Sequence, residues 1–178
     1  MPFKIAVVGG ECTGKTTLCE KLATELPALC VVEYLREFVD RQGRVPFAHD
    51  QAGILTTQIE REAAAVVAAG AVKRWVVCDS APIATAIYSE MYFKDRSQYS
   101  AAATHHATYA FTLLTDLDLV WEADGLQRDG PGMRADFHAR IHAWLRKQGV
   151  PFALVSGAGE MRSAAAVAAL RAVESRSR

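Results

Sequence analysis

Gly9-Gly10-Glu11-Cys12-Thr13-Gly14-Lys15-Thr16 follows directly on the apolar run Phe3–Val8, and its spacing is glycine, four residues, then Gly-Lys-Ser/Thr. That is the pattern of a loop that cradles phosphate. Glycines permit a tight turn whose backbone N–H groups point at phosphate oxygens, and a helix starting at the loop adds its positive N-terminal end. Leu18, Leu22 and Leu26 recur at helical spacing just beyond, so the loop sits between a strand and a helix as the chemistry requires. The residues expected to hold the nucleotide are Gly9, Gly10, Glu11, Cys12, Thr13, Gly14, Lys15, Thr16 and Thr17. Lys15 is placed to reach the outer phosphates and the Thr16 hydroxyl to join the ligand shell of Mg2+.

Five short apolar runs read as buried strands: 3–8, 30–34, 74–78, 117–121 and 152–155. Helical patterns lie between them. One covers 51–67, one opens at Ser80 and Pro82 and runs through Met91, one spans 99–114, one carries Phe137, Ile141 and Leu145, and the last covers 163–173. The stretch 42–49 reads as a mobile loop. The alternation predicts an α/β chain with the three-layer P-loop NTPase fold. It has a five-stranded parallel sheet, helices on both faces and a small lid near residues 122–135, all within one domain spanning 1–178.

Composition narrows the partners. Lys plus Arg and Asp plus Glu both number 20, so no basic footprint for nucleic acid is present. No apolar run is long enough for a membrane span or arranged as a signal peptide, which leads to the expectation of a cytoplasmic protein. The four cysteines form no Cys-x-x-Cys pair and read as small buried hydrophobes. The sequence contains no asparagine, so the Asn-Lys-x-Asp guanine-reading motif of signalling GTPases is absent and ATP is the expected nucleotide. Nothing in the sequence bears on oligomeric state.

In an open parallel sheet the ligand lies beyond the carboxyl ends of the strands, so the polar residues there are the candidates. Asp79 ends an apolar run and reads as a Mg2+ carboxylate beside Thr16; the alternative is a cap for the helix that follows. Glu33 is the first choice for a base near an attacking hydroxyl, with Asp79 second; the alternative is a surface glutamate paired with Arg36. Arg128 and Arg134 flank Asp129-Gly130-Pro131-Gly132-Met133, a spacing that suits a closing lid over a transferring phosphoryl group; otherwise they are solvated loop arginines. Tyr88 and Tyr92, one helical turn apart, could stack on a planar base or serve the core.

With these residues assembled, the chain resembles the ribosylnicotinamide kinase domain of NadR-type NAD-biosynthesis proteins. Gly9-Gly10-Glu11 matches that family's loop, Glu33-Tyr34-Leu35-Arg36-Glu37-Phe38-Val39 its Glu-Tyr-Ala-Arg-Glu-Tyr-Val segment, and Trp121 through Asp124-Gly125-Leu126 its lid entrance. Asp50-Gln51-Ala52 followed by Gln58 is similar to the start of one of its helices. The resemblance implies an ATP-dependent, Mg2+-requiring kinase that phosphorylates the 5′-hydroxyl of a small nucleoside-type acceptor, nicotinamide riboside first. Glu33, Arg36, Tyr88, Tyr92 and Asp124 are the residues expected to bind the acceptor. Two departures stand out: Gln127 replaces the family's arginine, and Asp79-Ser80-Ala81 stands where the family has Asp-Thr-Asp. The competing readings are a kinase for another nucleoside, nucleotide or cofactor precursor, and a nucleotide-dependent switch that phosphorylates no acceptor.

Overall fold

The run Phe3–Val8 forms β1, and Ile5 through Val8 are completely shielded from solvent. Continuous burial of successive residues means that both faces of the strand are covered, which a parallel sheet with helices on each side provides. The computed structural model describes residues 1–122 and 130–176. After β1 come α1 (Lys15–Glu25), β2 (Ala28–Val31), α2 (Tyr34–Gln42), a short 3-10 turn (Ala48–Asp50) and α3 (Gln51–Ala69). Then follow β3 (Trp75–Asp79), α4 (Pro82–Phe93), α5 (Tyr99–His106), β4 (Phe111–Thr115), α6 (Pro131–Lys147), β5 (Phe152–Val155) and α7 (Gly159–Arg176). The five strands are parallel in the order β2-β3-β1-β4-β5. The expected fold class is the observed one.

Alternation along β1 divides the core. Ala6 and Val8 face a layer built by α3, α4, α5 and α6, with Ile83, Ile87, Phe137, Ile141 and Leu145 all fully buried. Ile5 and Val7 face α1 and α7 through Leu18, Leu22, Ala166 and Leu170. Each such aliphatic or aromatic side chain contributes roughly 1.5–3 kcal/mol on burial. The helix after β1 lies on one face and the helix after the adjacent β3 on the other. The crevice between the carboxyl ends of β1 and β3 is therefore the place where a ligand fits.

Four expectations are corrected. The second strand is Ala28–Val31, in register with β3 from Trp75 to Cys78, and Glu33 is the N-cap of a helix that the sequence reading lacked. The fourth strand is Phe111–Thr115, not 117–121, and the expected helix over 99–114 stops at His106. Phe111-Thr112-Leu113-Leu114-Thr115 is a short apolar run that periodicity cannot distinguish from a buried helical turn; its pairing with β1 and β5 decides the matter. The loop 42–49 is pinned: Arg44 holds Asp50 through two hydrogen bonds of 2.7 and 3.3 Å, and the Asp50 carboxylate accepts from the Phe47 N–H. Lastly, Ala81 and not Ser80 occupies the N-cap position of α4, with no side-chain cap and with Pro82 in the first turn.

Candidate functional site

The phosphate loop is held from beneath by hydroxyl groups. Thr13 Oγ1 donates to the Gly10 carbonyl at 2.7 Å, and Thr115 Oγ1, from the end of β4, donates to Thr13 Oγ1 at 2.7 Å. Both threonines are fully buried. Gly9 packs so closely on this pair that a Cβ there would stand 2.0 Å from Thr115 Oγ1. Gly10 also lies close against α6, since its Cβ would meet Arg134 Cγ at 2.9 Å. The two glycines are thus demanded by neighbours as well as by the turn. Gly14 caps α1, Lys15 Nζ donates to the Gly10 carbonyl at 3.0 Å, and Thr17 is exposed on the first turn of the helix. Cys12 takes a left-handed backbone (φ 56°), and its sulfur accepts from the Glu122 N–H at 3.3 Å. The Glu11 carboxylate accepts from Trp121 Nε1 at 3.0 Å and from the Gly130 N–H at 3.1 Å.

Thr16 and Asp79 meet as expected, Thr16 Oγ1 donating to Asp79 Oδ2 at 2.6 Å. Asp79 is 1% exposed, and among the described residues its Oδ1 has no hydrogen-bond partner. A buried carboxylate oxygen left in this state is costly, and a divalent cation beside the Thr16 hydroxyl would satisfy it. Thr16 and Asp79 therefore fit Mg2+, with phosphate oxygens and water completing the shell.

A cavity of about 460 Å³ opens beside the loop. Its floor carries Gly9, Glu11, Lys15, Glu33 and Ser80; Val45, Pro46 and Phe47 form one wall, and Tyr88, Tyr92 and Phe93 another. Glu33, Arg36, Tyr88 and Tyr92, all expected at the acceptor site, line this one space. Arg36 lies 3.8 Å from the Glu33 carboxylate, so the ion-pair reading of Glu33 holds alongside its place in the cavity. Tyr88 stacks between Phe137 at 4.4 Å and Tyr92 at 5.8 Å, serving core and cavity together.

Burial pushes the Glu33 carboxyl above the ordinary range; the Lys15 charge opposes this, Asp79 adds to it, and Arg36 and a hydrogen bond from Ser80 oppose it. Ser80 reaches this position from a left-handed backbone (φ 67°), its N–H donating to the Val7 carbonyl at 2.9 Å. Such a conformation is strained for a residue with a Cβ, and strain of this kind gathers at functional sites.

Arg134 differs from the sequence expectation. It sits in the first turn of α6, where it is 5% exposed and donates through Nη2 to the Leu119 carbonyl at 2.8 Å. Pro131 starts the helix, so residues 131–134 belong to a rigid element and not to a flexible loop. Arg134 Nε is buried without a partner among the described residues. The other lid arginine, Arg128, and Asp124 lie outside the described residues, as does half of the expected lid, residues 123–129.

Several residues were missed in the sequence. Thr115 was hidden by the misread strand. Buried Arg162, on α7, donates to the Thr13 and Gly157 carbonyls and to Asp118, bracing the loop from the α1–α7 face of the sheet. It lies in an Ala-rich helix with no local signal of this role. Gln51 and Phe47 reach the cavity from separate elements, and only the fold brings them there.

Comparison with known proteins agrees with this fold. The chain superimposes on a NadR protein crystallised in complex with NR at a TM-score of 0.79 and 20% identity, covering 97% of this chain and 51% of that one. A thymidylate kinase from Ehrlichia chaffeensis aligns at 0.67 and 14% identity, covering 95% of this chain and 98% of that one. A deoxyadenosine kinase from M. mycoides with bound dATP aligns at 0.62 and 12%, covering 95% and 99%. These likenesses show a shared fold, and the chain spans about half the length of the NadR protein. No curated protein matches the sequence significantly. Among the described residues no helix is long and apolar enough to cross a membrane. The sequence matches the family described as an AAA domain over residues 4–162, and the chain belongs to that family.

Proposed function

We propose that the chain is an ATP-dependent small-molecule kinase that transfers the γ-phosphoryl group to the 5′-hydroxyl of a nucleoside, with nicotinamide riboside as the first acceptor to test. The observation that carries this reading is that Lys15 and Glu33 open onto one cavity of about 460 Å³ beside the Thr16–Asp79 pair. A phosphate loop alone would serve a hydrolase or a switch equally well. An adjoining cavity with apolar and aromatic walls and a carboxylate at its phosphate end suits an organic acceptor. The NadR protein crystallised with NR, and the thymidylate kinase and deoxyadenosine kinase that share this fold, support a nucleoside- or nucleotide-type acceptor.

In this mechanism the loop N–H groups and Lys15 hold the ATP phosphates, and Thr16 and Asp79 would hold Mg2+, whose charge would offset that of the phosphate oxygens. Glu33 orients the acceptor hydroxyl and takes its proton as the oxygen attacks; its raised pKa brings it nearer to neutrality, where a base is most effective. The stacked Tyr88–Tyr92 face binds the acceptor base, and binding there fixes the hydroxyl in line with the γ-phosphate. Arg134, packed against Gly10, adds positive charge beside the loop in this reading, and Arg128 is proposed to do the same.

An acceptor screen tests the proposal. Purified protein with Mg-ATP is given nicotinamide riboside, ordinary nucleosides and nucleoside monophosphates, and phosphorylated products are sought by mass spectrometry. Phosphorylation of a nucleoside is the expected result. ATP binding or hydrolysis with no phosphorylated acceptor would remove the kinase reading in favour of a switch.

A further inference from the structure

Glu33 occupies the N-cap position of α2, yet its carboxylate makes no capping hydrogen bond. The first turn of a helix leaves N–H groups that need acceptors, and an N-cap side chain normally supplies one. Here the acceptor comes from another helix: the Tyr34 N–H, the first of α2, donates to Gln58 Oε1 at 2.9 Å. Gln58 is 5% exposed, and its other end donates to Glu62 Oε1 at 3.2 Å.

The direction of this amide is set by chemistry. Glu62 is completely buried and receives hydrogen bonds from Lys4 at 3.2 Å, from Tyr109 at 2.7 and 2.9 Å, and from His105 at 2.7 Å when that ring nitrogen carries the proton. Burial would raise its pKa, but the His105 contact, the Lys4 charge and the Tyr109 hydroxyl outweigh it and hold the carboxyl below the usual range. An ionised carboxylate only accepts, so Gln58 must turn its NH₂ group to Glu62 and its oxygen to Tyr34. Lys4, Tyr109 and His105 come from β1, β4's approach and α5, so the anchor is tied to the body of the domain.

We infer that Gln58 is a positioning residue that anchors the first N–H of α2 and so fixes the backbone beside Glu33, keeping the Glu33 carboxylate aimed at the acceptor cavity. This rests on the reading of Glu33 as the base. Without Gln58 the Tyr34 N–H loses its acceptor, the start of α2 loosens, and the carboxylate loses its fixed aim at the hydroxyl.

The test is a double-mutant cycle of Gln58→Met and Glu33→Gln, with hydrogen exchange at the Tyr34 amide as a second readout. Gln58→Met is expected to lower kcat roughly ten- to a hundredfold while KM for ATP stays within about twofold. It should add almost nothing in the Glu33→Gln background, because both changes remove the same base. Tyr34 amide exchange should quicken in Gln58→Met. In Gln58→Glu an oxygen remains for Tyr34, and the protonated carboxyl can still donate to Glu62, so kcat should stay within about threefold of the wild type. A kcat loss of equal size in both Glu33 backgrounds, equal losses in Gln58→Glu and Gln58→Met, or unchanged Tyr34 exchange would overturn the inference. Full turnover in Glu33→Gln is a different result: it removes the base reading itself, whereas the exchange data still report whether Gln58 anchors α2.

Discussion

The phosphate loop and the acceptor cavity share a border but are built in opposite ways. The loop is one continuous stretch whose working groups are backbone N–H groups and the side chains of Lys15 and Thr16. The cavity draws Glu33, Phe47, Gln51, Ser80 and Tyr88 from five places along the chain. Backbone chemistry at fixed spacing does one task in any host, so the loop is specific for phosphate and uninformative about the acceptor. Convergent side chains can be varied one by one, so in the proposed kinase the cavity would set the acceptor preference.

The largest expected effect separates the two regions most sharply. Glu33→Gln should reduce kcat for acceptor phosphorylation by roughly 10²–10⁴-fold with ATP affinity preserved, as read by steady-state kinetics and calorimetry. Because the base acts unprotonated, wild-type kcat should rise with pH through the raised pKa of Glu33. The stability sign is the reverse. A carboxyl whose folded pKa is raised favours its protonated form, so its contribution is lost as pH rises through that value. Glu33→Gln should therefore be more heat-stable than the wild type at pH 8, and a lower Tm would contradict this burial account.

Gly9→Ala attacks the loop instead. The added methyl would stand 2.0 Å from Thr115 Oγ1, and the contact is too close to relieve without moving the loop. Overpacking of about 1–3 kcal/mol corresponds to a loss of ATP affinity of roughly ten- to a hundredfold. Unchanged ATP binding would show that the loop adapts and that the Thr13–Thr115 brace is dispensable.

The smallest effect probes the cavity wall. Phe47 is 51% exposed and held in place by the Arg44–Asp50 pair. Phe47→Ala should raise the acceptor KM by roughly tenfold and leave KM for ATP within about twofold, since it touches only one side of the border. A matched rise in both constants would show that the two regions are not separable.

Legibility in the sequence followed the same division. Gly9 to Thr16 and Asp79 could be assigned because their signals are local: a spacing motif, and an apolar strand that ends in a carboxylate. Glu33, Arg36, Tyr88 and Tyr92 were reachable because strand ends converge on one edge. Thr115 was lost with the misplaced fourth strand. Arg162 and the Glu62 cluster carried no pattern, and Gln58 entered only through the family resemblance with no role attached, because each acts on a residue at least 24 positions away.

From the sequence alone came the parallel α/β architecture, the nucleotide loop and the Thr16–Asp79 pair. These depend on periodicity and on short-range spacing, which the chain carries along its length. The tertiary structure alone decided which short apolar run pairs with β1, that Arg134 is a helical residue packed on Gly10, and that an amide from α3 anchors the helix behind Glu33. Strand pairing, close packing and the matching of buried donors to acceptors are relations between distant residues, and they exist only once the chain has folded.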